Sequence, residues 1–460
     1  MTSPASRREF MKRASALSIT GAAAPWALSL AAMGEAAAAN ATGYKALVCV
    51  FLYGGNDYAN TVVTYDQPSH NIYLQQRPAL ATARADLLAT ALRPKTALPD
   101  ARAYALAPQL ASLLPYFNDG SLAVMLNLGT LIEPLTKAQY TANSGRRPPM
   151  LFSHNDQQSY FQANTPEGAT SGWGGRMGDL FAAGNGNATF TSVSVSGSAV
   201  FLSGKTTSAY QVSTGGAVPI TAIQSSVFGS DACRTAMAGL ISAARPQHLF
   251  EDEYTRVVAR SIRAEATLTP ALATASVAPA FPVDNRLAAQ LSMVSRMIAA
   301  RQQLGSGGPK RQVFFVSLGG FDTHDALLAD HPGLLSTVGS ALAAFQTSIR
   351  SQGLQDSVTT FTASDFGRTL NSDGDGSDHG WGSMHFVLGG AVKGQDFYGR
   401  PPVPGSDGPD DVGRGRLLPT LSVDQYGATL GRWFGLTDSE LLTVMPNLKN
   451  FSSSNLGFMA

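Results

Sequence analysis

The stretch Ala46-Leu47-Val48-Cys49-Val50-Phe51-Leu52 runs directly into Tyr53-Gly54-Gly55-Asn56-Asp57. An apolar run of this length, ended by paired glycines and polar residues, is typical of a strand that is buried on both faces of a sheet. Four further apolar runs have the same character and predict four more buried strands. They are residues 122–128, 313–318, 358–362 and 386–388.

Amphipathic helical patterns separate these runs, most clearly over residues 286–304 and 334–350. Buried strands that alternate with such helices indicate an α/β fold with a largely parallel sheet. Residues 189–221, rich in Ser, Thr, Val and Gly, predict a small β-rich insertion or cap. Residues 264–283, rich in Ala, Thr and Pro, predict a loop or linker. We therefore predict one α/β domain over residues 40–460.

The N-terminal segment has the three parts of a secretory signal: a basic region, a weakly apolar run and a run of small residues. The pair Arg7-Arg8 is followed by Phe10 and Lys12, which favours the twin-arginine form. We predict a cleaved twin-arginine signal over residues 1–39, the Tat translocase as its partner, and a periplasmic or secreted protein. An uncleaved anchor or a chance basic terminus is the alternative.

Composition excludes several classes of partner. The chain has 33 Lys plus Arg against 32 Asp plus Glu, so nothing indicates a basic surface for nucleic acid or for an anionic membrane. No segment after the signal is long and apolar enough to give a stable membrane span. The two cysteines, Cys49 and Cys233, form no Cys-x-x-Cys motif, which excludes a thiolate zinc site. Whether they pair, and the oligomeric state, stay open.

Polar residues collect directly after three of the apolar runs. Asp57 follows the first run, Asp322 and His324 follow the third, and Asp365 follows the fourth. In open α/β sheets, ligands bind beyond the carboxyl ends of the strands. Asp322 and His324 are two positions apart, so in extended backbone their side chains face the same way. This spacing suits two ligands of one ion.

Two more histidines, His379 and His385, precede the last apolar run, and Asp378 stands beside the first of them. Imidazole and carboxylate without thiolate suit a divalent metal. Zn²⁺ is our first choice, with Mn²⁺, Mg²⁺, Ca²⁺ or Fe as alternatives. Each residue taken singly also has a structural interpretation, such as a turn aspartate. The predicted metal ligands are Asp57, Asp322, His324, Asp365, His379 and His385.

Ser153 and Arg368 are the candidates for direct catalysis. Ser153 opens a predicted helix, where the N-terminal dipole favours an alkoxide and an incoming anion. A plain helix cap is the alternative role, and the sequence slightly favours it. His154 is its neighbour or a further ligand. Arg368 could clamp two oxygens of a phosphate or sulfate, and a surface salt bridge is its alternative role.

The motifs together resemble a large bacterial family of secreted proteins that is known only as a domain of unknown function. In order they are Gly-Gly-Asn-Asp, Ser-His-Asn, Gly-Trp-Gly-Gly-Arg, Phe-Asp-Thr-His, Ser-Asp-Phe-Gly-Arg-Thr and Asp-His-Gly-Trp. That family is in turn similar to the alkaline phosphatase and sulfatase superfamily. This second resemblance implies a three-layer α/β/α sandwich, one or two metals held by Asp and His at strand ends, and a Ser, Thr or formylglycine nucleophile.

The resemblance also implies residue roles. Asp57 matches the first-strand carboxylate, Ser153 the nucleophile, Asp322 with His324 one metal pair, Asp365 the late-strand aspartate, and His379 or His385 the last imidazole. One residue separates Asp322 from His324, where the superfamily usually has three. Phe366 also follows Asp365 where the superfamily has a histidine.

The implied function is an exported metal-dependent hydrolase that acts on a small phosphate or sulfate ester. One alternative is a non-catalytic exported scaffold or binding protein that keeps this fold with a degenerate metal site. A metal-free serine hydrolase that uses Ser153 is a third possibility, but the chain lacks the Gly-x-Ser-x-Gly elbow that such enzymes use.

Overall fold

The computed structural model describes residues 43–243 and 247–460. The predicted signal over residues 1–39 lies outside the described residues. Among the helices that are described, none has both the length and the apolar character needed to cross a bilayer.

Thirteen strands and twelve α-helices are described, numbered here in chain order. The strands are β1 (Lys45–Tyr53), β2 (Val62–Thr64), β3 (Tyr104–Leu106), β4 (Leu122–Gly129), β5 (Ser192–Ser194), β6 (Tyr210–Gln211), β7 (Arg311–Gly319), β8 (Val358–Ser364), β9 (Arg368–Asp373), β10 (Gly376–His379), β11 (Ser383–Leu388), β12 (Asp396–Tyr398) and β13 (Leu421–Ser422). The helices are α1 (Gln67–Gln76), α2 (Leu114–Asn118), α3 (Lys137–Thr141), α4 (His154–Ala163), α5 (Trp173–Phe181), α6 (Thr221–Gln224), α7 (Asp231–Ser242), α8 (Leu249–Thr274), α9 (Arg286–Ala299), α10 (Leu327–Ser351), α11 (Val423–Phe434) and α12 (Asp438–Val444).

A nine-stranded sheet forms the centre of the fold, in the order β12-β4-β11-β8-β1-β7-β5-β6, with β13 paired to β4. Every strand of it except β11 runs in the same direction. All five apolar runs lie in this sheet, within β1, β4, β7, β8 and β11. The predicted α/β fold with a largely parallel sheet is therefore confirmed.

Both faces of the sheet are covered, which explains why β1 is apolar throughout instead of alternating. Ala46, Val48 and Val50 belong to a core that includes residues of α9 and α10. Leu47, Cys49 and Phe51 belong to a second core, on the opposite face, that includes residues of α5 and α11. The sandwich therefore has three layers, as the resemblance implied. Cys49 is buried, Cys233 is exposed, and neither forms a disulfide.

Two segments differ from the prediction. Residues 189–221 contribute β5 and β6 to the edge of the main sheet, because Val193 is fully buried and its strand pairs with β7, so they form no separate insertion. Within 264–283, helix α8 continues to Thr274. Ala264, Leu268 and Ala271 recur at helical spacing and are buried, and this packing outweighs the cost of Pro270 inside the helix. Only the remainder of that segment is a loop.

Candidate metal centre

The carboxyl ends of β1, β7 and β8 lie side by side at one rim of the sheet. Tyr53 is in register with Gly319, and Leu52 is in register with Ser364. The chain therefore leaves the three strands at the same level, and Gly54 passes between the other two loops. A Cβ atom on Gly54 would lie 2.3 Å from the backbone nitrogen of Asp322, and its φ is +115°. Only glycine fits this turn.

Asp322 lies at the centre of a cluster of basic groups. Its Oδ1 atom is 2.5 Å from Arg368 Nη1, 3.0 Å from His324 Nε2 and 3.2 Å from His379 Nε2. Its Oδ2 atom is 3.3 Å from His154 Nε2. Partial burial raises the pKa of Asp322, but the hydrogen bond and charge of Arg368 outweigh it and hold the pKa below its ordinary value. The carboxylate is therefore ionised at neutral pH.

The His154 ring is oriented by a buried carboxylate, that of Asp365, on the side away from Asp322. His154 Nδ1 lies 2.7 Å from Asp365 Oδ2, which also accepts hydrogen bonds from the Gln158 side chain at 2.8 Å and from the Gly54 backbone at 3.2 Å. Because Asp365 accepts, the neutral form of the ring carries its proton on Nδ1 and keeps its lone pair on Nε2. Nε2 is buried and makes no hydrogen bond to any described residue. The hydrogen bond to Asp365 raises the pKa of His154 in spite of burial.

The His379 ring is held in the same way by a backbone carbonyl. Its Nδ1 lies 2.6 Å from the carbonyl oxygen of Phe152, so its Nε2 also faces inward. That Nε2 is 2.8 Å from His324 Nε2, which places two ring nitrogens opposite each other. Burial lowers the pKa of His379, which favours the neutral ring that binds metals.

The donor set fits a divalent metal. Ligand atoms of His154, Asp322 and His379 lie within 4.8 Å of one another, as do those of an overlapping group of His324, Asp378 and His379. Two ligands on a tetrahedral Zn²⁺ at about 2.0–2.1 Å are separated by roughly 3.3 Å, close to the nitrogen–oxygen distances here. Tying the outer ring nitrogen to a carboxylate or a carbonyl is the usual support of a histidine ligand.

Arg368 is buried beneath Asp322 and does not face a substrate. Its Nη1 donates to the Gly54 carbonyl at 3.2 Å and to Asp322, while Nη2 and Nε donate to Ser377. Its side chain is fully buried. The predicted clamp on substrate oxygens is therefore wrong, because every nitrogen of the guanidinium already has a protein acceptor. Arg368 instead fixes the position of Asp322.

The structure does not bring Asp57 or His385 to the cluster. Both Asp57 oxygens lie 2.9 Å from Arg77 Nη1 in a fully buried ion pair, because the turn after β1 carries the side chain away from the rim. His385 lies within β11 and packs against Phe161 and Tyr426. Burial lowers its pKa to about 3, which marks a neutral histidine of the core. Prediction of these two as metal ligands was wrong.

Helix α4 brings to the cluster two residues that were not among the predicted ligands, His154 and Gln158. Ser153 is its N-cap residue, and its hydroxyl donates to Asp156 Oδ2 at 2.9 Å instead of capping the helix backbone. His154, which the sequence left open, enters the cluster, and Gln158 supports Asp365. Positions four apart lie on one face of a helix, and this spacing was the available signal.

A family model described as a protein of unknown function, DUF1501, matches residues 44–445. The chain belongs to this family. The DUF1501 match spans the whole histidine cluster and confirms the family-level resemblance that the motifs carried.

Two solved structures resemble this DUF1501 chain at low similarity. The lipoteichoic acid synthase LtaP from Listeria monocytogenes is 8% identical, with a TM-score of 0.33, over 89% of this chain and 77% of that one. Ps i-CgsB, solved in complex with k-i-k-neocarrahexaose, is 10% identical, with a TM-score of 0.34, over the same shares of the two chains. Such values say nothing about activity. No curated protein matches the chain.

Proposed function

We propose that this protein is an exported metal-dependent hydrolase of phosphate or sulfate esters. One divalent ion, Zn²⁺ in the first instance, would be held by His154, His379 and Asp322, with His324 beside His379. A single observation carries the proposal. Three imidazole Nε2 atoms face one ionised carboxylate, while the outer nitrogens of two of the rings are tied to Asp365 and to a backbone carbonyl.

The chain's own residues provide the rigid frame that such chemistry needs. A divalent ion held here would act as a Lewis acid toward an ester oxygen and would stabilise charge that develops in the transition state. Asp365 keeps the proton of His154 on Nδ1, and Arg368 keeps Asp322 ionised and in place. Gln158 secures Asp365 in turn. Preorganised ligands of this kind need no rearrangement when charge develops.

Ser153 takes the part of the attacking group in this proposal. It lies at the N-terminus of α4, one residue before His154, where the helix dipole favours an oxyanion. Its hydroxyl proton is engaged by Asp156, so a lone pair on the oxygen is left for attack on phosphorus or sulfur.

The proposal is tested with the exported protein. Metal content is measured by mass spectrometry, and hydrolysis is followed with p-nitrophenyl phosphate, bis(p-nitrophenyl) phosphate and p-nitrophenyl sulfate. We expect about one zinc per chain and turnover of at least one ester. His154→Ala and His379→Ala should lose both, whereas the matched control His248→Ala, at an exposed position, should keep both.

Further outcomes separate the roles. Ser153→Ala should keep the metal and lose turnover. If it keeps turnover, water is the attacking group. Exported protein that holds zinc but hydrolyses none of the three esters would favour the scaffold interpretation. Exported protein that binds no divalent metal would refute the proposal.

A further inference from the structure

One guanidinium contacts both of the segments that carry the proposed ligand His379 and the proposed attacking group Ser153. Arg416 donates from Nε to the carbonyl oxygen of His379 at 2.8 Å and from Nη2 to Asp378 Oδ2 at 2.8 Å. Its guanidinium also lies over the ring of Phe152, the residue before Ser153, at 4.8 Å from the ring centre. The Arg416 side chain is 18% exposed, so these contacts are largely shielded from solvent.

Phe152 has an unusual backbone conformation for an aromatic residue. Its φ is +71°, in the left-handed region, and Met150 two positions earlier has a φ of +49°. This conformation is costly in a residue other than glycine, so it persists only where neighbouring contacts hold it. The segment presents the Phe152 carbonyl to His379 Nδ1 at 2.6 Å and leads directly into Ser153. Whatever holds Phe152 therefore acts on both groups.

The Phe152 ring has two sets of contacts. It packs against a small apolar cluster of Leu131, Trp381 and Leu418, and the Arg416 guanidinium lies over its face. A cation over an aromatic face is attracted more strongly when water is kept away from the pair. The stack of Arg416 on Phe152 is therefore a direct support of the strained segment.

Arg416 itself comes from a tight turn that is fixed to the sheet hairpin of the site. Gly413, Arg414 and Gly415 have φ values of +116°, +59° and +72°, and the Arg416 nitrogen donates to the Gly413 carbonyl at 3.1 Å. The backbone nitrogen of Leu370, in β9, donates to the Gly415 carbonyl at 3.0 Å. A Cβ atom on Gly415 would lie 2.5 Å from Leu370 Cβ, so the turn packs tightly on β9. Arg416 therefore acts from a fixed base.

The neighbouring Arg414 separates the effect of charge from the effect of the stack. Both arginines pair with Asp378 Oδ2, at 3.2 Å from Arg414 Nη1 and at 2.8 Å from Arg416 Nη2. Arg414 makes its other ion pair with Asp373, at 3.2 Å. Among the described residues, its side chain forms no hydrogen bond to His379 and no stack on Phe152. Positive charge beside Asp378 is common to both arginines, whereas the contacts to Phe152 and His379 belong to Arg416.

We propose that Arg416 is a positioning residue that fixes the His379 ring and Ser153 in one arrangement, by holding Phe152, which contacts the first and precedes the second. The effect on zinc and turnover rests on the proposed function, but the effect on the segment concerns contacts within the chain alone. Removing the guanidinium frees the Phe152 carbonyl to leave His379 Nδ1, and outer hydrogen bonds of this kind contribute about 10–100-fold to metal affinity.

The first measurement needs neither metal nor activity. Hydrogen exchange of the exported protein, followed by mass spectrometry, reports on the peptide with residues 150–153, where Ser153 N donates to the Met150 carbonyl at 3.1 Å. Arg416→Ala should raise the exchange rate of this peptide by about tenfold or more, whereas the matched control Arg414→Ala should leave it unchanged. Circular dichroism checks that the variants are folded. Equal exchange in the natural protein and the Arg416 variant would overturn the proposal.

The second measurement uses zinc affinity and ester turnover. Arg416→Ala should lower zinc affinity by about tenfold or more, and at saturating zinc it should lower kcat with little change in KM, because Arg416 positions Ser153 and does not bind substrate. Arg414→Ala should change neither. Phe152→Ala removes the same stack, so the double variant with Arg416→Ala should lose little more kcat than either single variant.

Two outcomes of this second measurement would overturn the role of Arg416. They are natural zinc affinity and kcat in Arg416→Ala, and fully additive losses in the double variant. A natural protein without zinc and without turnover would refute the proposed function instead, and the hydrogen exchange of residues 150–153 would then decide the role of Arg416 by itself.

Discussion

His154 Nδ1 lies 2.7 Å from Asp365 Oδ2, although 211 positions separate the two residues in the chain. The first comes from the start of α4 and the second from the end of β8. The fold therefore builds the support of a ligand from two distant segments, and this contact decides which nitrogen of His154 is free to bind.

Asp365→Asn should lower zinc affinity by about 10–100-fold, because the amide no longer fixes the proton of His154 on Nδ1. Competition with a chromophoric chelator measures the affinity. Asp86→Asn, at an exposed position, serves as the control. Equal affinities of the Asp365 variant and the natural protein would show that this carboxylate does not support a metal ligand.

Asp57→Asn should lower the free energy of unfolding by about 3–5 kcal/mol, because it leaves the buried Arg77 guanidinium without its counter-charge. The folded fraction should bind zinc as tightly as the natural protein does. Urea denaturation and metal titration provide the two measurements. A variant that is as stable as the natural protein but binds zinc more weakly would show that Asp57 is a metal ligand after all.

His331 should make the protein less stable in mild acid. It is fully buried, donates to Asn56 Oδ1 at 3.0 Å, and has its pKa lowered by burial from 6.5 to about 4. Between pH 6.5 and about pH 4, His331 is protonated in the unfolded chain but stays neutral in the folded chain. The stabilisation is therefore complete above pH 6.5 and is lost as the pH falls toward 4, by about 2 kcal/mol at pH 5.

The matching variant is His331→Gln, which can still donate to Asn56. Its free energy of unfolding should fall by about 2 kcal/mol less than that of the natural protein between pH 7.5 and pH 5. His248→Gln, at an exposed position, should keep the natural profile. If the free energy of unfolding fell equally with pH in all three proteins, His331 would not be the cause of the acid sensitivity.

Gly54→Ala should weaken zinc binding as well as stability, because the added Cβ would collide with the backbone nitrogen of Asp322. Gly168→Ala is the matched control, since its φ of +93° carries a similar backbone cost but no atom lies within 4 Å of the added carbon. The Gly54 variant should lose at least about tenfold more zinc affinity than the control. Similar losses in both would mean that only the backbone conformation matters.

The sequence predicted the strands of the central sheet closely, but it predicted the residues of the histidine cluster only in part. Asp322, His324, Asp365 and His379 were predicted as ligands, and the structure brings all four into one network, with Asp365 behind His154 instead of facing the cluster. His385 is not part of this network because it lies inside β11, where its ring packs in the core against Phe161 and Tyr426. The twin-arginine signal and the metal stay predictions.

The sequence by itself determined the α/β fold of this protein and the rim where its polar residues gather, because short apolar runs that end at turn residues and alternate with amphipathic helices fit central strands of a parallel sheet. Only the tertiary structure decided which side chains meet there. It turned Asp57 toward Arg77, buried Arg368 beneath Asp322 and brought His154 in from α4. Loop conformation and helix placement set such directions, and both depend on packing between segments far apart in the chain.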